Sequence, residues 1–309
     1  MARYKDMPEK RVSVGGQAVI EGVMMRSPTF YATAVRTPQG RIVIQKTRYA
    51  GLTHRFKWLN IPVIRGAINL VETLWIGVQS LSYSATQAMD EDAKTEKKKS
   101  PLAASLSIAG SIIFALGIGF LLFFFIPLWL TELLPVDNGI LFNLIDGVFR
   151  LAIFLAYILL IARWKEMQRI FQYHGAEHKT IYAFEEGMDL TTENAAGYST
   201  LHPRCGTSFL LVVMLVSVVV FAFLGKPDTW GDRLLRFAMI PLIGGIAFEF
   251  IKLSAKDRFA KYFRFAIWPG LTLQRVTTNE PSEDMLEVAI AALDACLDYQ
   301  SVKLELPAG

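Results

Sequence analysis

Charge is spread unevenly along this chain, and the uncharged gaps are long. No charged residue occurs for 32 positions between Lys99 and Glu132, whereas about 20 apolar residues suffice for a helix to cross a bilayer core. Within that gap lies Ser111–Leu130, with the unbroken apolar run Phe120–Ile126. A second uncharged gap separates Arg204 from Lys226 and holds Phe209–Leu224. Ile140–Ala162 and Leu234–Leu253 are almost as apolar. The first carries Asp146 and Arg150, the second Arg236 and Glu249. Asp146 and Arg150 stand four apart, on one helix face, where they can pair. The pattern predicts a polytopic α-helical membrane protein with four transmembrane helices.

Other periodicities flank these spans. Ala32–Arg36 and Arg41–Gln45 read as strands, with turn chemistry at Thr37-Pro38-Gln39-Gly40 between them. Ahead of them, Gly15, Gly16 and Gly22 surround Glu21 and predict a tight backbone path. Together these give a small N-terminal β unit. Ile64, Ala67, Ile68, Val71, Leu74, Trp75, Val78 and Leu81 follow helical spacing, with Asn69, Glu72, Thr73, Gln79 and Ser80 on the other face. This helix either packs on the β unit or lies in the membrane interface, surface-bound or re-entrant. Glu283–Leu297 is a second amphipathic helix, with Ser282 at its N-cap position and Glu283 and Asp284 in its first turn. The chain divides into a β unit (1–61), an amphipathic helix with a charged linker (62–100), a transmembrane domain (101–255) with a connecting loop at 163–206, and a C-terminal helical tail (256–309).

Composition agrees: 52% of residues are hydrophobic, 19% charged, and the mean hydropathy is +0.34. Two cysteines exclude a disulfide scaffold. The N-terminal MARYKDMPEKR has no apolar stretch after it, so no signal peptide is expected. The net charge of +4 is mild. Its basic residues cluster before the first span (Arg48, Arg55, Lys57, Arg65, Lys97–Lys99), after the second (Arg163, Lys165, Arg169, Lys179, Arg204) and after the fourth (Lys252, Lys256, Arg258, Lys261, Arg264). The positive-inside rule then puts both termini in the cytoplasm of a bacterial inner-membrane protein. Juxtamembrane placement points to contact with membrane lipids and not to nucleic acid.

Three of the four histidines lie between positions 174 and 202. His174-Gly175-Ala176-Glu177-His178 is an H-x-x-E-H pattern, which on a helix puts two imidazoles one turn apart beside a carboxylate. Twenty-four residues after His178 comes His202-Pro203-Arg204-Cys205-Gly206, offering another imidazole and a soft thiolate. His174 and His178, with His202 or Cys205 or both, form a candidate zinc site. Iron and manganese are the other metals considered, and Glu177 is the candidate general base. Gly175 weakens a helix at this point by about 1 kcal/mol. Glu249, charged inside a span, and Glu21, among the glycines, are candidates for a supporting role. Cys296 is expected to be packing and His54 to sit at the surface.

Four segments carry a family resemblance: Gly15–Arg26, Tyr173–Lys179, His202–Ser208 and Gln274-Arg275-Val276-Thr277-Thr278-Asn279-Glu280-Pro281. They resemble the motifs of the YqhQ-like bacterial membrane proteins, a domain family of unknown function whose members bear the description of metal-dependent enzymes. The resemblance implies metal-dependent chemistry at these same histidines. The expectation is a zinc-dependent hydrolase acting at the cytoplasmic membrane face on a peptide, a lipid-linked group or a small amide. The alternatives are a scaffold or assembly factor with a closed structural metal site, and a transporter using Asp146, Arg150 and Glu249.

Overall fold

The computed structural model describes residues 12–89, 101–203, 205–254 and 268–297. The N-terminal eleven residues, the charged linker 90–100, the basic stretch containing Lys256, Arg258, Lys261 and Arg264, residues 298–309, Arg204 and the side chain of His54 lie outside it.

Strands β1 (Gly15–Val19), β2 (Gly22–Arg26), β3 (Phe30–Arg36) and β4 (Ile42–Arg48) form one antiparallel meander in that order. The β3–β4 hairpin follows the predicted turn, where Gly40 takes a φ of +80°. The glycine-rich segment is more than a tight path: it is the β1–β2 hairpin, turning at Ile20-Glu21 with Glu21 at φ +51°. It lacks the β-branched alternation that marks a strand, so its pairing was hidden. Gly22 is required there, because a Cβ would run into the Ala34 carbonyl of β3.

Both faces of β2 and β3 are covered, which explains their near-continuous burial. Val23, Met25, Ala32 and Ala34 join a core with α5 (Lys165–Glu186) and α11 (Glu283–Cys296). On the opposite face Val19, Met24 and Tyr31 pack with Ile76 of α2 (Ile64–Gln87). Thr33 donates a hydrogen bond to Ser80 across that contact, at 3.0 Å. The sheet is thus the middle of three layers built from segments distant in sequence. A short helix α1 (Leu52–Arg55) precedes α2. In α11, Ser282 occupies the expected N-cap position, without a side-chain capping bond. Cys296 is fully buried in the core, as expected of packing.

Among the described residues, four helices are long and apolar enough to cross a membrane, and they mark this as a membrane protein: Ile113–Glu132, Gly139–Ile161, Gly206–Leu224 and Trp230–Ser254. The first belongs to α3, which starts at Pro101, passes through a π-helical turn at Leu121–Phe125 and continues through Ile126–Glu132. The second is α4 (Gly139–Ile161) and the third α7 (Gly206–Leu224). The fourth combines α8 (Trp230–Ala238) and α9 (Ile240–Ser254). Asp146 and Arg150 form the expected pair at 2.8 Å.

Helix α2 ties the sheet to the last span. A Cβ on Gly66 would lie 2.8 Å from the Gly245 carbonyl oxygen, so the two backbones touch where α2 crosses α9. Beside that contact Arg65 grips Glu249 with two hydrogen bonds. Ile64, Val71, Leu74, Trp75 and Val78 remain exposed. The 163–206 connection is mostly helix: α5 fills its first half and α6 (Thr192–Ala196) follows.

Candidate metal centre

The H-x-x-E-H residues sit midway along α5, on a face buried by the sheet, by residues 199–206 and by the C-terminal segment 268–281. Gly175 does not interrupt this helix. Its missing side chain makes room for the Asn279 carbonyl oxygen, which a Cβ would overlap. The cost in helix propensity is thereby exchanged for a close crossing of the Asn279 backbone.

That crossing orients the first imidazole. His174 Nδ1 lies 2.8 Å from the Thr277 carbonyl, at the end of α10 (residues 268–277). The Nδ1 of His178 meets the Thr200 carbonyl in the same way. A carbonyl only accepts, so each ring carries its proton on Nδ1 and turns the Nε2 lone pair away from the backbone. For His174 that lone pair faces Cys205 Sγ, 3.1 Å away. The two rings stand 4.4 Å apart, centroid to centroid. One ligand atom each from His174, His178 and Cys205 lie within 4.8 Å of one another. Burial holds His178 below the usual imidazole range, against a hydrogen bond to Cys205, which favours the charged form.

Cys205 reaches this point because it is the N-cap of α7, the residue at which the chain enters the third span. The Thr207 N–H and hydroxyl both face its sulfur. The loop bearing it is fixed by Gln274 of α10, whose side chain is fully buried. Gln274 accepts from the His202 N–H at 2.8 Å and donates to the His202 carbonyl at 2.8 Å and to Ser208 Oγ at 3.0 Å.

The sequence offered His202, Cys205 or both as candidate ligands beside His174 and His178. The structure brings Cys205 into the group and leaves His202 beside it. The His202 ring centroid is 5.6 Å from that of His178, and its Nε2 lies 3.5 Å from the Glu185 carboxylate. Glu177 is buried under β1. A Cβ on Gly16 would lie 2.9 Å from its carboxyl carbon, which is why glycine stands there. Burial pushes the Glu177 carboxyl up to about 7, against the charge of His174 and the Gly16 N–H, which favour the carboxylate. The next residue, Gln17, packs its amide against Gly77 of α2. Glu21 holds Arg169 through both carboxylate oxygens, one turn ahead of His174 along α5. Glu249, on α9, is engaged by Arg65 of α2. Neither acid belongs to the three-residue group.

Sequence reasoning missed Thr200, Thr277 and Gln274, and gave Gly16 and Gly175 no positive role. The two carbonyls leave no trace in residue identity. Gln274 through Pro281 stood out only through the family resemblance.

The family described as "Protein of unknown function (DUF1385)" matches residues 61–299. The chain belongs to this family. The chain is also 33% identical to "Uncharacterized protein YqhQ" of Bacillus subtilis (strain 168), over 98% of this chain and 96% of that protein. No solved structure matches. Family membership extends to the H-x-x-E-H, Cys205 and Gln274 segments, and its description carries no activity. The family match begins at residue 61, after the strands, while the likeness to the Bacillus protein takes in the sheet as well.

Proposed function

We propose that His174, His178 and Cys205 hold a zinc ion and that the protein is a metal-dependent hydrolase working at the cytoplasmic face of the bacterial inner membrane. The observation that supports this most is the pair of backbone carbonyls at the Nδ1 atoms. Each imidazole has its tautomer set and its other nitrogen aimed inward, the supporting pattern of metal-binding histidine. The donor set of two imidazoles and one thiolate suits zinc. Ligand atoms of a tetrahedral zinc site stand about 3.5 Å apart, and the 3.1 Å between His174 Nε2 and Cys205 Sγ is compatible with that spacing.

Zinc, when bound, supplies a Lewis acid that brings the pKa of water down to about 7. The chain supplies the rest. Glu177, which interacts with His174 and is shielded by β1, is the group that takes and returns the proton. Three protein ligands among the described residues favour a site with an open position over a closed one. Cys205 stands at the head of a span, so substrate is met at the bilayer surface, which favours a membrane-borne peptide or lipid-linked group. The basic residues beside the spans support a cytoplasmic position for that surface. The exposed apolar stripe of α2 would rest on the same leaflet as an interfacial amphipathic helix.

Metal analysis of the full chain purified in detergent tests the site. One zinc per chain is expected, lost in His174→Ala and Cys205→Ala and kept in Glu177→Gln. Zinc-free wild-type protein that binds no added zinc would refute it. A second reading, a structural staple, is favoured by one observation: the three ligands join α5 of the sheet layer to the first residue of the third span. Cobalt(II) substitution separates the two. An open position gives visible bands that shift with added azide, and a closed staple does not respond. Loss of amide hydrolysis in Glu177→Gln, with metal retained, completes the catalytic case.

A further inference from the structure

A second buried polar cluster lies at the other end of the bundle, among the first turns of α4 and the turns of α8. Asp146 and Arg236 are each 2% exposed and Arg150 is 8% exposed. Arg150 donates to Asp146 Oδ2 at 2.8 Å. Arg236 donates from one Nη2 to the Asn143 side-chain oxygen at 2.8 Å and to the Gly225 carbonyl at 2.5 Å. Both guanidiniums face the same ring: their Cζ atoms stand 5.2 and 5.1 Å from the centroid of Phe221. Arg150 also faces Phe124, which belongs to the π-helical turn of α3. Such turns recur at functional sites.

The cluster is incomplete in two respects. Three of its buried atoms have no hydrogen-bond partner among the described residues: Asp146 Oδ1, Arg150 Nε and Arg236 Nη1. Its charge is also unbalanced, with two guanidiniums against one carboxylate. The neighbouring acids are committed elsewhere, Glu132 to Arg233 at 2.7 Å and Asp232 to Thr229 at 2.8 Å. An unmatched positive charge inside a helical bundle is expensive, and intramembrane ionisable groups mark functional sites by default.

We propose that Asp146, Arg150 and Arg236 form a binding site for one phosphate-class oxyanion that carries a hydroxyl. The anion's oxygens accept from Arg150 Nε and Arg236 Nη1, for which planar guanidinium donors are suited. Its hydroxyl donates to Asp146 Oδ1. One bound monoanion thus completes all three orphaned atoms and brings the net charge to zero. Dihydrogen phosphate has this chemistry, and so does a phosphodiester phospholipid headgroup bearing a hydroxyl.

The test is thermal unfolding of the full chain in detergent, with inorganic phosphate against sodium chloride at matched ionic strength and pH. Phosphate is expected to raise the wild-type midpoint saturably, and Arg150→Gln and Arg236→Gln to abolish that rise. Asp146→Asn keeps an acceptor oxygen but removes the opposing charge, so it tightens phosphate binding on the order of tenfold. Native mass spectrometry separates the sources. A phospholipid retained by wild type and lost from the arginine variants assigns the headgroup, whereas a phosphate response without retained lipid assigns the free anion. Indifference to phosphate with no retained phospholipid overturns the site and leaves a hydrated ion cluster. A response that survives both arginine changes, or weakens in Asp146→Asn, overturns it equally. If the arginine variants do not fold, the direction of the Asp146→Asn change decides alone.

Discussion

The two buried polar clusters stand at opposite ends of one helical bundle, and they are completed in different ways. Around His174, His178 and Cys205, the second atom of each ring is taken by a backbone carbonyl, from Thr277 and Thr200. Around Asp146, Arg150 and Arg236, three atoms are left without partners. Each end has an amide clamp, Gln274 at the first and Asn143 at the second. Gln274 makes three bonds that fix the His202 loop. Asn143 donates to the Gly139 and Gly225 carbonyls and accepts from Arg236. Two backbone carbonyls turn the free imidazole nitrogens towards the proposed cation, and the charges at the far end would balance with the proposed anion. The difference teaches that buried polarity has to be read atom by atom, since both clusters look alike as lists of residues.

The sharpest way to break the comparison is to remove the imidazoles. His174→Ala with His178→Ala is expected to take zinc from one per chain to none, read by metal analysis, while the phosphate response at the far end persists. Loss of both responses together would show that the ends are not independent. Next in size is Asp146→Leu, which leaves two guanidiniums buried without an anion. A cost of about 3–5 kcal/mol is expected in thermal unfolding at low phosphate. Arg150→Met leaves one charge of each sign, Asp146 and Arg236, and should cost less than half as much. Equal costs would mean that Asp146 matters only as the partner of Arg150.

Gln274→Leu comes third. It strands the His202 N–H and carbonyl and the Ser208 hydroxyl in a fully buried place, at about 2–3 kcal/mol. Its zinc affinity is expected to fall as well, because Cys205 lies on the loop that Gln274 fixes. A stability loss with unchanged zinc affinity would detach the clamp from the metal centre.

What the sequence made legible follows the same division. The spans could be read because hydrocarbon demands long uncharged runs, and no packing detail overrides that demand. The three clustered residues, His174, His178 and Cys205, could be read because imidazole and thiolate are rare and here close in sequence. His202 and Cys205 could not be ranked, since their order is set by which way a turn faces, and that is decided by Gln274 much farther along the chain. The β1–β2 hairpin was hidden because its strands are specified by what glycine permits, a close Ala34 carbonyl at Gly22 and a close Glu177 at Gly16. Arg236 looked like a charge near a span end, and its proximity to Asp146 and Arg150 arises only when α4 and α8 come together.

Two glycines bring the comparison down to its smallest expected effect. Gly175 on α5 faces the Asn279 backbone carbonyl, and Gly147 on α4 faces the methyl groups of Val218 on α7. In both, an added Cβ would overlap its neighbour. The Asn279 carbonyl belongs to the segment that orients His174, so Gly175→Ala must move backbone, at about 2–3 kcal/mol and with weakened zinc binding. Val218 lies on a helix whose side chains can turn, and Gly147→Ala also gains about 1 kcal/mol of helix propensity. Its net cost should therefore be about 1 kcal/mol, seen as a small fall in the thermal midpoint with zinc content unchanged. If Gly147→Ala were as damaging as Gly175→Ala, the packing of α4 on α7 would be as rigid as the metal centre. The orphaned Oδ1 of Asp146, one residue away, would then have no freedom to close around an anion.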